Sequence, residues 1–142
     1  MKNKKRIDNN GFSLVELIIV IAIMVVLVGV LAPQYLKYVE RGRESADLSN
    51  IDIMVSAVEI YNADPNNQPV SGTITATNGA VVVADAIKPA LQDAGITTSP
   101  ANMKSTKYAT WTITFSSTSV QVSGNADLPA ALGRTATSTP TP

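Results

Sequence analysis

The chain has 142 residues, 45% hydrophobic and 15% charged, balances eleven Lys and Arg against eleven Asp and Glu, and contains neither cysteine nor histidine. That length suits one modest domain, and the missing thiols and imidazoles exclude a Cys/His zinc site, a Cys or Ser-His nucleophile, c-type haem attachment and any disulfide. A formal charge of zero supplies no basic face of the size that phosphate contacts need, so no nucleic-acid partner is expected.

The charge is unevenly placed. Lys2, Lys4, Lys5 and Arg6 oppose only Asp8 in the first ten residues, which gives that leader a charge of +3 and the other 132 residues −3. Residues 17–33 then contain no polar side chain, and the 21 residues 12–32 are interrupted only by Ser13 and Glu16. A helix of that length spans roughly 30 Å, the thickness of a bilayer's hydrocarbon core. A domain this small could hardly cover an all-round apolar helix, so the segment is read as a membrane span. The basic flank places the N-terminus in the cytoplasm and the chain beyond Pro33 outside. A secretory signal peptide has the same outline, but a cut after Ala32 would leave Pro33 next to the scissile bond, where it restricts the backbone.

Beyond the span, Leu48, Ile51, Met54 or Val55, and Val58 recur at helical spacing, with Glu40, Arg43, Glu44, Asp47 and Glu59 assigned to other faces. The pattern predicts an amphipathic helix over 34–62, stopped by the turn cluster Asp64-Pro65-Asn66-Asn67. If Pro33 only bends the chain, one helix of about 50 residues runs over 12–62, on the order of 75 Å long.

The composition then shifts to Thr, Ser, Ala and Val. A strand is expected over 70–77, a turn at Asn78-Gly79 and a second strand over 81–83. A short helix is expected within 84–94, with Pro89 near its first turn and Gly95 at its end. Trp111, Ile113 and Phe115 alternate with Thr110, Thr112 and Thr114 in the clearest strand, 109–115, and Val120 and Val122 look like its hairpin partner. The Trp111 face is expected to pack on the helical stripe of Leu48, Ile51, Val55 and Val58. Residues 134–142 alternate Thr, Ser and Pro without apolar anchors and are expected to be disordered; their hydroxyls are candidate O-glycosylation positions.

The stretch that carries chemistry is Gly11-Phe12-Ser13-Leu14-Val15-Glu16. A small residue suited to a cut precedes the apolar segment here, whereas a secretory signal is cut after it. Cutting between Gly11 and Phe12 would remove the basic leader and leave the anchor on the exported domain. With the leader, the apolar helix and Pro33, this motif resembles the class III signal of type IV pilins and the related pseudopilins.

That resemblance implies a prepilin peptidase that cuts after Gly11 and methylates the new N-terminal Phe12. It implies an α+β fold with a long N-terminal helix on a small antiparallel sheet. The domain plan that follows is a cleaved leader over 1–11, a membrane and filament-core helix over 12–33, an amphipathic helix over 34–62, a β-rich head over 63–133 and a tail over 134–142. It further implies a helical homopolymer, a surface filament for adhesion, motility or biofilm, and an assembly ATPase with an inner-membrane platform. In such filaments the glutamate at the position of Glu16 pairs with the terminal amine of a neighbouring subunit, here that of Phe12, and the helix loosens near the proline at the position of Pro33.

Physics gives Glu16 an independent weight, since a carboxylate in an apolar helix costs roughly 2.5–3.5 kcal/mol at the bilayer centre and calls for a partner. Pro33 has the simpler role of ending the span as its other reading. The competing function is a pseudopilin of a type II secretion or DNA-uptake machine. Major secretion pseudopilins of that family commonly carry a calcium site in the C-terminal loops, and this chain has only Asp127 as an acid after Asp93. Lys104 and Lys107 alone make a weak case for DNA capture. A membrane-anchored enzyme is the third class. Asp47, Asp52, Glu59, Asp64, Asp85 and Asp93 show no paired arrangement in the sequence, and no catalytic residue, metal or cofactor is expected. The absence of cysteine departs from the many pilins whose C-terminal loop is closed by a disulfide.

Overall fold

A computed structural model describes residues 12–97, 100, 102–117 and 119–133. The expected leader, the cut site at Gly11 and the Thr/Pro tail lie outside these residues. The chain divides into two compact units with the boundary between Tyr38 and Val39. One helix, α1, is assigned over Leu14–Ala63, a run of 50 residues with Pro33 inside it. It is therefore the single long helix of the sequence reading. It begins two residues later than expected because Ser13 caps it; the Leu17 N–H already donates to the Ser13 carbonyl at 3.2 Å.

The first unit is the apolar part of α1. Its large side chains from Leu14 to Leu36 stand exposed, and the described residues leave this apolar stretch uncovered. By length and composition the helix suffices to cross a membrane.

The second unit holds the core. Its strands are β1 (Gly72–Thr77), β2 (Ala80–Val83), β3 (Trp111–Phe115) and β4 (Val120–Ser123), and they form one antiparallel sheet in the order β2-β1-β3-β4. Alternation decides which face is covered. The register aligns Val83, Ile74, Ile113 and Val122 across all four strands, and each of these side chains is buried. Ala76 with Trp111 makes the neighbouring row. Ile51, Met54, Val55, Ala57 and Val58 of α1 belong to the same apolar cluster, so the expected packing of the Trp111 face on the helical stripe is what forms.

Asn78 and Gly79 close the β1–β2 hairpin with φ of 50° and 83°, the left-handed pair that a tight two-residue turn requires. After β2 a 3-10 turn (Asp85–Ile87) leads into α2 (Lys88–Asp93), with Pro89 in its opening turn and Gly95 at φ 73° ending it. Ile87, Ala90 and Leu91 cover one end of the core. A last short helix, α3 (Leu128–Ala131), was not expected. Asn125, two residues before the cap position Asp127, accepts the N–H groups of Asp127 and Leu128 through Oδ1 at 3.1 and 3.2 Å.

One assignment is corrected. Asp47 does not lie on a solvated face of α1: it is 1% exposed. Position 47 is four residues before Ile51, so it shares the inner face. Its Oδ2 accepts the N–H groups of Lys104 and Ser105 at 2.8 and 2.6 Å. Seven residues earlier, the half-exposed Glu40 accepts the N–H and hydroxyl of Thr106 through Oε1 at 2.7 and 2.9 Å. Three consecutive amides of the loop before β3 thus converge on two helix carboxylates, which offsets the desolvation of Asp47.

Candidate functional site

The site is the start of α1 and the apolar face that follows. Phe12 precedes the helix and is 81% exposed. The Ser13 N–H donates to Glu16 Oε2 at 2.9 Å. Four amides at a helix start lack intrahelical acceptors, and a Ser at the cap with Glu three residues on is the arrangement that satisfies one of them. The spacing Ser13-x-x-Glu16 was in the sequence as a capping signal, and the reading of Glu16 as an intersubunit residue overlooked it.

The cap has a chemical consequence. An ionised carboxylate has two oxygens with about four acceptor positions, and the Ser13 amide occupies one. Glu16 is held within one turn of the helix start, and among the described residues no hydrogen bond to its Oε1 is formed. In this position the carboxylate also faces the positive end of the helix dipole.

Pro33 lies inside α1, exposed, and the helix continues beyond it. Its ring removes one intrahelical hydrogen bond, so the helix is weakened there without being ended. The structure brings Phe12, Ser13 and Glu16 together at one end of the helix and leaves Pro33 17 residues beyond Glu16. Gly11 lies outside the described residues.

Four other acids make local contacts in the second unit. Asp64 accepts the Asn66 N–H at 2.8 Å in the turn after α1. Asp85 pairs with Lys88, whose ammonium holds the carboxyl below the usual aspartate range. Asp127 lies 3.6 Å from Lys107. Glu40 is held below the ordinary glutamate value, first by the Thr106 amide and then by the Thr106 hydroxyl, with Arg43 assisting. Among the described residues no three carboxylates gather in a cation site.

The described residues thus combine a helix long and apolar enough to cross a membrane, with Glu16 at its start, and a helix-backed antiparallel sheet. The prokaryotic N-terminal methylation motif matches residues 6–32. The chain is 34% identical over 149 residues to the fimbrial protein EcpC of Eikenella corrodens, covering 93% of this chain and 95% of that protein. No solved structure matches it. The chain belongs to the type IV pilin family. Membership implies a structural protein that polymerises with itself into filaments and is processed by a prepilin peptidase.

Proposed function

We propose that this chain is a subunit of a type IV pilus. It enters the cytoplasmic membrane as a prepilin through residues 12–33, with its basic leader in the cytoplasm. The peptidase removes residues 1–11 after Gly11 and methylates Phe12. An assembly ATPase and an inner-membrane platform then draw the subunit into a surface filament. Residues 34–62 back the head, 63–133 complete it, and 134–142 form its tail.

The observation that carries this reading is the exposed apolar helix with Glu16 at its start. Extracted from lipid, such a face needs another apolar surface, and copies of itself supply one. Glu16 then accepts the terminal amine of Phe12 from a neighbour while keeping its own cap, and the pairing fixes axial register. Pro33 supplies the weak point at which the helix loosens on packing. The match to a fimbrial relative supports a pilus over a secretion pseudopilin.

Intact mass spectrometry of the protein from its native cells tests the processing. A chain beginning at N-methylated Phe12 is expected. One retaining Met1, or beginning at Pro33, would sink the reading.

A further inference from the structure

The dipeptide Asn-Gly occurs twice in the sequence, at Asn10-Gly11 and Asn78-Gly79, and only the second lies among the described residues. The pair has a chemistry of its own. The glycine nitrogen can attack the asparagine Cγ, because no Cβ on the glycine obstructs the approach. A C–N bond forms, the Cγ–NH2 bond breaks, and the amide leaves as ammonia with the proton lost from the glycine nitrogen. Water then opens the cyclic imide at either carbonyl, giving aspartate or isoaspartate. No oxidant is consumed.

The native turn is set against this reaction. Asn78 is exposed, yet Gly79 is buried. The Gly79 N–H donates to the Ala109 carbonyl at 2.8 Å, so the attacking nitrogen keeps its proton and stays bound to an acceptor other than Asn78. The Gly79 carbonyl accepts the Met103 N–H, also at 2.8 Å, which fixes the residue from its other side. Both partners belong to the loop before β3, and that loop is itself tied down. Asp47 accepts the amides of Lys104 and Ser105, and the Ser105 hydroxyl accepts that of Tyr108. For the reaction to start, the nitrogen must leave Ala109 and turn toward the Asn78 side chain, which takes a local opening of this loop from the hairpin.

We infer that Asn78 is a modification site guarded by the fold: the loop 103–109 holds Gly79 and suppresses conversion to aspartate and isoaspartate, and heads that open acquire it. The mark is permanent. Either product adds a negative charge at the turn. Isoaspartate also adds a backbone atom between Thr77 and Ala80, which pair directly across a two-residue loop. A head that has once opened thereby loses the hairpin geometry it needs to close.

The full chain in detergent is incubated in mildly alkaline buffer, native or in guanidinium chloride, and tandem mass spectrometry follows the amide-to-acid mass gain at residue 78. Conversion in the native chain is expected to be at least tenfold slower than in the denatured one. Equal rates overturn the guard. A denatured chain that keeps its amide, while a synthetic peptide of residues 74–83 loses it, overturns the site.

Three variants of the measurement separate the parts. In denaturant, Gly79→Ala should convert at least fivefold more slowly, since the added Cβ obstructs the attack; an unchanged rate rules out the Gly79 nitrogen. Asp47→Asn weakens the tether of the loop while keeping an acceptor, and in native buffer its rate at residue 78 should fall between those of the native and denatured chains. A rate equal to the native one overturns the part given to the loop. Chains enriched in isoaspartate should, after refolding, melt below unconverted ones, and equal melting overturns the effect on closure.

Discussion

Asp47 accepts two loop amides from within the core, so its replacement by alanine leaves two N–H groups without an acceptor. The expected loss is roughly 2–4 kcal/mol, and a denaturant titration of the head should show it; Asp47→Asn, which keeps an acceptor, should lose less. Glu40 makes a related contact at a more exposed position, and its folded-state pKa is depressed. Such a group contributes stability that is present above its unfolded pKa and lost as pH falls through the folded one. The Thr106 amide is therefore protected at neutral pH, and its intrinsic-rate-corrected hydrogen exchange should accelerate below the ordinary glutamate range. Glu40→Gln should remove that acid-dependent step. Glu16→Ala, by contrast, should leave processing intact and block incorporation into fibres, because it deletes a partner of assembly and one helix-capping acceptor; normal mutant filaments would refute the pairing. Of these carboxylates only Glu16 announced itself in the sequence, by standing in an apolar run. Asp47 was hidden because its partners are amides 57 and 58 residues away, to which no side-chain pattern points.

At the scale of elements, periodicity was the reliable signal. The inner stripe of α1 and the alternation of Trp111, Ile113 and Phe115 both follow from which side chains must leave water, and the Asn78-Gly79 turn follows from backbone sterics. Gly79 is fixed twice over, by φ of 83° and by the Met103 carbonyl oxygen, which would stand 2.9 Å from an added Cβ. Gly79→Ala is expected to destabilise the head by about 1–3 kcal/mol, read as a lower melting temperature. The strand order was not legible. β1 pairs with β3 across a gap of more than thirty residues, placing both at the sheet's centre, and local patterning carries no information about such a partner. The loop before β3 and α3 escaped for a similar reason, since each is too short for a repeating apolar pattern, and side-chain acceptors hold both alongside a few buried anchors such as Met103, Tyr108 and Leu128.

For the whole molecule, composition alone separates three stretches: a basic start, an apolar run and a Thr-rich remainder with a slight excess of acids. The motif around Gly11 was legible as a motif because its elements lie side by side in the chain. Gly11→Val should hold the uncut precursor in the membrane, detected as a protein that retains its leader; a mature-length product would count against the cut. The head also fastens its loop to α1 through Asp47 and Glu40, in a chain that has no cysteine. A thiol reductant therefore has no bond to cleave in it, and a fibre built from such heads keeps its closure in reducing media that would open a disulfide-stapled counterpart.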